Sequence, residues 1–368
     1  MLEIQKYLKD KNVEDLTKEF GIIVRKHDSL PLMILNYSQL DSPKTAAIVR
    51  ECRGLVLHSE NHSLVARSFF RFFNWGEVQD EQSLFDFSDF VVQSKEDGSL
   101  VVLYYFNGEW HANTRGSFAD DLMQHQTFSW KEGFCRALKI KSLRDLSSVL
   151  DTEVTYVCEF CSPWNKVVRR YTEPVMYLLT AFRGLTEVSN AEADVLAGSC
   201  FLRPVLYEFH SIEEIQKFLQ EQESKDPTFE GVVIKDKNGN RWKVKSATYL
   251  GFHRLKGEGN NLFNPKYLLP FILSGEDDEL LTYFDEVRGT YFEYKSKVSG
   301  AYSHLLETWA DHKDIAQQKD FALAVQGEKF SSILFSLRKK YGSEQKSSHV
   351  RDEWRNSEAA ILKHVFNK

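Results

Sequence analysis

Phe90-Val-Val-Gln-Ser-Lys95-Glu-Asp-Gly98-Ser-Leu100-Val-Val-Leu-Tyr-Tyr-Phe106 runs into Asn107-Gly108 and then Glu109-Trp-His-Ala-Asn-Thr114. The two flanking runs are β-branched and aromatic, and Asn-Gly suits the tight turn that right-twisted strands need, so the segment predicts a β-hairpin. A short strand, Phe90-Val-Val92, leads into it across the charged break Lys95-Glu-Asp-Gly98. Outward from there, Gly231-Val-Val-Ile-Lys235 and Arg241-Trp-Lys-Val-Lys245 flank Asn238-Gly239 and predict a second hairpin. Val175-Met-Tyr-Leu-Leu-Thr-Ala-Phe182 reads as a buried strand, and Ser211-Ile-Glu-Glu214 as a capping box opening a helix to about Glu221.

The texture changes after Tyr249. Gly257-Glu-Gly-Asn-Asn261 reads as a linker, and beyond it Leu280, Phe284, Val287, Tyr291 and Tyr294 recur at helical spacing. Further helices are expected near 301–318, 320–341 and 353–366. The expected fold class is therefore α+β: a domain of antiparallel sheets over 1–250, then an all-α domain over 251–368.

Composition fits a globular protein with a sizeable core: 42% hydrophobic and 27% charged residues, with 27 Phe and 15 Tyr among the 368. No apolar run approaches a membrane span, and the first residues lack a secretory h-region, so a cytoplasmic protein is the expectation. The formal net charge of −6 rules out a uniformly basic coat but not a local basic groove. Five cysteines at irregular spacing do not form a disulfide framework. Cys158-Glu-Phe-Cys161 lacks a second Cys/His pair and lies in a strand-like run, which argues against a metal or redox site.

Lys95-Glu-Asp-Gly98 has a bland reading, a charged surface turn. Its chemical reading is sharper: a lysine at a strand edge, with glycine letting backbone approach a ligand, can attack the α-phosphate of ATP. At pH 7 only about 1 lysine in 2,500 is neutral, so such a site needs positive neighbours that favour the free amine.

Lys95-Glu-Asp-Gly98 resembles the first motif of the nucleotidyltransferases that include DNA ligases, RNA ligases and mRNA capping enzymes. Four more blocks follow in that superfamily's order: Arg115-Gly-Ser117, Glu159-Phe160 with Pro163 and Asn165, Glu230-Gly-Val-Val-Ile234, and Trp242-Lys243-Val-Lys245-Ser246. Upstream, Asn36-Tyr37, Arg50-Glu-Cys-Arg53-Gly54 and Arg71-Phe-Phe-Asn74 are similar to the bacteriophage RNA ligase 1 family.

That resemblance implies an ATP-dependent RNA ligase working through lysyl-AMP, with Mg2+ as cofactor and Mn2+ as a substitute. It assigns Lys95 as nucleophile and Glu159 to the ribose. Glu230 would hold metal and stand near Lys95, and Asp278 would hold metal. Tyr37, Arg53, Arg71, Phe73, Gly98, Arg115, Lys243 and Lys245 would line the nucleotide site, and Tyr249 would serve ligation. A lysine is usual in the family where this chain has Arg71. The implied partner is RNA with 5′-phosphate and 3′-hydroxyl ends, tRNA foremost, bound by a monomer. Each residue also has an ordinary alternative: Phe73 and Tyr249 as core aromatics, Lys243 and Lys245 on an edge strand, Asp278 as a helix-start acid, and Arg338-Lys-Lys340 with Lys346, Arg351 and Arg355 as a solvated face rather than an RNA contact. Rival readings are a DNA ligase or capping-type enzyme, which usually carries an OB-fold where this chain reads as helical, and a non-catalytic RNA-binding module.

Overall fold

The computed structural model describes residues 1–39, 41–123, 126–165, 169, 171–226, 229–245, 263–275, 277, 280–281, 287–342 and 347–367. The chain divides into two units, Met1–His253 and Arg254–Lys368.

The strands of the first unit, in chain order, are β1 (Ile22–Lys26), β2 (Leu32–Tyr37), β3 (Arg53–His58), β4 (Leu64–Ala66), β5 (Phe73–Asn74), β6 (Phe90–Ser94), β7 (Ser99–Phe106), β8 (Glu109–Thr114), β9 (Thr155–Cys161), β10 (Val175–Arg183), β11 (Thr186–Glu187), β12 (Leu206–Tyr207), β13 (Gly231–Asp236) and β14 (Arg241–Lys245). They form three sheets, ordered β1-β2-β3-β4, β11-β10-β9-β7-β8 and β12-β6-β13-β14-β5. Pairing is antiparallel except between β14 and β5. The first unit is thus α+β with antiparallel sheets, as the sequence implies.

Both predicted hairpins form. Phe106 faces Glu109, with Asn107 and Gly108 at φ 50° and 85°, the left-handed pair that a two-residue turn requires. In the second, Gly231 faces Lys245 and Lys235 faces Arg241. Asp236 closes its turn by accepting from the Asn238 and Asn240 amides at 2.9 and 2.8 Å. The helix at Ser211 runs Ile212–Lys225, past the expected end. Only half of the expected box is made: Ser211 Oγ accepts from the Glu214 amide at 3.2 Å, while Glu214 takes the His210 amide instead.

Apolar side chains fix how the sheets stack. Leu32, Ile34 and Val56 of the first sheet pack with Val102 and Tyr104 of the second. Leu100, Val157 and Phe182 of the second meet Val233 of the third, with Phe69 and Phe72 between. The helix Ile212–Lys225 covers the third sheet through Ile215 and Leu219. The chain crosses from the third sheet to the second between β6 and β7, and that crossing is Lys95-Glu-Asp-Gly98. The sheet stacking therefore fixes where Lys95 stands.

The described helices of the second unit are Pro265–Ser274, Arg288–His312, Gln318–Ala324, Ser331–Tyr341, Ser347–Arg355 and Glu358–Phe366. They enclose Leu268, Tyr291, Leu305, Phe321, Leu334 and Trp354. Three expectations are corrected. The stretch 320–341 is two helices, broken around Gly327 at φ 93°. The stretch 353–366 breaks near Ser357, and 301–318 belongs to a helix that starts earlier and ends at His312. Asn264-Pro265 opens a helix the sequence reading passed over, with Asn264 Oδ1 accepting from the Lys266 amide at 3.1 Å. Among the described residues no helix is long and apolar enough to cross a membrane.

Candidate active site

Lys95 follows β6 directly, and its amide donates to the Gly231 carbonyl at 2.9 Å. The next three residues turn inward. Glu96 accepts from Ser94 Oγ at 2.7 Å, Asp97 accepts from the Arg169 amide at 2.7 Å, and both carboxylates are buried. The Gly98 amide donates to Glu159 Oε1 at 3.2 Å. A β-carbon at Gly98 would lie 2.3 Å from the Phe160 carbonyl oxygen, so backbone approach, not turn conformation, demands glycine here. Asn165 ties the same two strands by donating to Ser99 Oγ at 3.0 Å and to the Phe160 carbonyl at 2.7 Å.

Glu230 precedes β13 and is 4% exposed. Its Oε1 takes both Lys95 Nζ at 2.6 Å and Lys245 Nζ at 2.7 Å. Its Oε2 is buried with no hydrogen-bond partner. Burial alone would raise this carboxyl, but Lys245 and Lys95 override it and bring it down to about 2. Glu230 thus stands against Lys95, where the resemblance put it, and Lys245 shares the same carboxylate oxygen.

Glu159 behaves oppositely. Burial pushes its carboxyl up to about 7, Glu230 adds to the rise, and Lys95 and Arg53 only partly oppose it. Between the unfolded value of about 4.3 and the folded value near 7, the folded state binds more protons. Stability attributable to Glu159 therefore falls as pH rises through that window. Glu159→Gln is expected to melt higher than the parent at pH 8, by up to about 3 kcal/mol or several degrees, and level with it near pH 4. Thermal melts at the two pH values check this; an equal gap at both would contradict it.

A basic wall adjoins the carboxylates. The buried Tyr37 ring has Arg115 at 5.6 Å and Arg71 at 5.7 Å. Burial would raise the Tyr37 hydroxyl, but Arg115, Arg53, Arg71 and Lys243 together lower it. Arg53 lies over Phe69 at 4.8 Å, its Nη1 is buried with no hydrogen-bond partner, and it faces both Tyr37 and Glu159 electrostatically. Lys243 Nζ lies over Phe72 at 5.3 Å.

Phe73 and Arg71, like Glu230 and Tyr37, are buried. Phe73 is 2% exposed, packed 6.1 Å from Trp242 with Arg71 at 4.3 Å and Arg50 at 5.4 Å over its ring. Arg71 is 3% exposed and pairs with Glu77 at 3.3 Å. Tyr249, Asp278 and Lys346 lie outside the described residues. The neighbouring Asp277 is buried and accepts from Tyr291 at 2.7 Å and Lys295 at 2.8 Å. In the basic run, Arg338 donates to Gln318 at 2.8 Å and Lys340 pairs with Glu353 at 2.7 Å. Cys158 and Cys161 are free, buried thiols that burial pushes up.

Sequence reasoning gave no role to Glu77, which accepts from the Asn74 amide at 2.8 Å and from Arg71, or to Arg50, which donates to the Arg71 carbonyl at 3.2 Å. Arg50 stood in a quoted block, so proximity in sequence was its one signal.

The family model for RNA ligase matches residues 51–258, more than half of the chain. The chain belongs to the RNA ligase family, of the bacteriophage RNA ligase 1 type. This family member is 30% identical over 311 residues to a protein of Autographa californica nuclear polyhedrosis virus described as a bifunctional polynucleotide kinase/RNA ligase. The match covers 80% of this chain but 43% of that relative, so the chain spans less than half of its length. Solved structures that overlap the ligase-family chain include an archaeal ATP-dependent RNA ligase (16% identity, TM-score 0.48, covering 82% of this chain and 83% of that one). Another is an Aquifex aeolicus protein described as an ATP-dependent DNA ligase (14%, 0.47, 89% and 80%). The assignment rests on the sequence matches.

Proposed function

We propose that the protein is an ATP-dependent RNA ligase that carries AMP on Lys95. The observation that carries this reading is one buried carboxylate, Glu230, gripping Lys95 and Lys245 on a single oxygen at the crossing between two sheets. Lys95 Nζ attacks the α-phosphorus of ATP, forming an N–P bond as the α–β P–O bond breaks and pyrophosphate leaves. Attack needs the free amine, so the Lys95–Glu230 pair must part and the ammonium proton must leave. An RNA 5′-phosphate oxygen then takes the AMP from Lys95. Last, a 3′-hydroxyl attacks the 5′-phosphorus of that activated end and AMP departs. Arg53, Arg115 and Lys243, beside Tyr37, suit the phosphates, since preorganised cations stabilise charge where it develops.

Magnesium, with manganese as a substitute, would neutralise the phosphates. The partnerless Glu230 Oε2 fits one inner or water-bridged contact to such an ion. Among the described residues no group of three or more His, Cys, Asp or Glu could hold a metal by itself. That suits an ion carried largely by phosphates and water.

The substrate we infer is cleaved tRNA, met by a cytoplasmic monomer whose region 251–368 serves RNA recognition after the adenylyltransferase region 1–250. Sealing assays on nicked tRNA, linear single-stranded RNA and nicked DNA, with ATP or GTP, test it. Sealing of RNA with ATP alone, fastest on tRNA, is expected. Preference for nicked DNA, or for GTP, overturns it.

A further inference from the structure

Alternate residues of a strand share a face. Lys245, Lys243 and Arg241 therefore form a row along β14, and Lys235 of β13 stands opposite Arg241. Four residues of strand cover about 13 Å, so the row leads from Lys95's carboxylate toward the β13–β14 turn. Each two-residue step is comparable to the separation of successive phosphates in an extended nucleic-acid strand.

Where the row ends, a groove of about 740 Å³ opens. Six cations line it, Arg50, Arg67, Arg71, Lys235, Lys237 and Arg241, against three carboxylates, Asp89, Glu187 and Asp236. Three of those cations pair with carboxylates beyond the lining, Arg50 with Glu81 at 2.9 Å, Arg71 with Glu77 at 3.3 Å and Lys237 with Asp86 at 2.8 Å, so Arg67, Lys235 and Arg241 carry the groove's positive charge. Two of the carboxylates are already engaged. Glu187 accepts from Thr180 at 2.7 Å, Lys235 at 3.1 Å and Arg241, and Asp236 is bound to its own turn.

The aromatic residues give the groove its chemistry. Phe70 is 40% exposed at the lip, with the Arg67 guanidinium 4.4 Å from its ring centre. Arg241 lies over Phe69 at 5.3 Å. An ion network built only to hold Glu187 needs no exposed phenylalanine. A site for a small anion needs none either. Cations along a backbone-length row with an open aromatic face beside them are the combination that grips single-stranded nucleic acid.

We propose that this groove is a subsite for the single-stranded RNA adjoining the end to be sealed, with a base on Phe70 and backbone phosphates along Arg241, Lys235 and Arg67. The proposal rests on the RNA-ligase reading. It assigns the extra nucleotides of a longer substrate to a place outside the Lys95 centre.

The test uses the full chain and two substrate series. In one the 5′-phosphorylated donor RNA is lengthened from the shortest sealed species to about eight nucleotides; in the other the 3′-hydroxyl acceptor is. In the parent protein KM falls with length. Phe70→Ala is expected to lose about tenfold of that gain on one arm, which identifies the strand, while Phe70→Tyr keeps it. Photo-crosslinking of 4-thiouridine RNA to the parent is expected to label peptides containing 67–72 or 235–241. Unchanged length dependence on both arms in Phe70→Ala, or labels confined to other peptides, overturns the subsite. Absence of any sealing by the parent overturns the underlying ligase reading instead, so the two failures are distinguishable.

Discussion

Lys95→Ala abolishes AMP attachment and sealing of 5′-phosphorylated RNA with ATP, a loss of at least about a thousandfold, while sealing of pre-adenylylated RNA persists. The asymmetry follows from the chemistry. Only the first step makes a bond to the lysine nitrogen; the last joins two RNA ends on an already activated phosphate. The substitution is safe for the fold, because Lys95 is a partly exposed residue whose backbone amide, not its side chain, bonds to Gly231. Glu230 keeps Lys245 as a partner at 2.7 Å, so no carboxylate is left bare. Gel assays with labelled ATP and with pre-adenylylated RNA separate the steps. Loss of both by a folded variant would mean that Lys95 serves the final step as well; loss of neither would remove it from the reaction.

Gly231→Ala destabilises the first unit by roughly 3–5 kcal/mol, lowering its melting temperature by about 10 °C. Gly231 adopts φ 140°, in the region L side chains avoid, and a β-carbon there would lie 2.3 Å from the Val244 carbonyl oxygen and 2.8 Å from Lys245 Cα. Both contacts are backbone, so neither can swing away. The strain would also spread Glu230 and Lys245, so on the proposed lysyl-AMP chemistry adenylylation should fall with stability. Gly239→Ala is the control. It shares a positive φ of 84° but a β-carbon there meets nothing within 4 Å, so a loss of about 1 kcal/mol is expected. Differential scanning calorimetry compares the two; equal melting shifts would contradict the close packing of β13 on β14.

The strands that carry the chemistry were legible because their signals are local. Asn107-Gly108 specifies its own turn, and alternation in Arg241-Trp-Lys-Val-Lys245 places Lys243 and Lys245 on one face before any tertiary contact is known. The order of the motif blocks gave the fold class and family. Finer partners were not legible. The resemblance brought Glu230 to Lys95, but nothing in the sequence shows that Lys245 shares the same oxygen or that Glu77 pairs with Arg71. Phe73 read equally as a pocket wall or as core, and its packing 6.1 Å from Trp242 was not visible in the sequence. Helix ends in the second unit were lost where a single residue such as Gly327 interrupts an otherwise continuous periodic pattern.

The acidic pair shows why burial must be weighed against charge. Glu159 and Glu230 are both buried carboxylates near Lys95, yet one is raised to about 7 and the other lowered to about 2. The difference is that Glu230 touches two ammonium groups, whereas the Gly98 amide that Glu159 accepts is uncharged.

The most direct measurement is peptide mass spectrometry of the full chain after incubation with ATP and magnesium. One adenylyl group, acid-labile and confined to the peptide bearing Lys95, is the expected result. Folded protein with no adduct, or an adduct on Lys243 or Lys245 in place of Lys95, would contradict the assignment of the nucleophile.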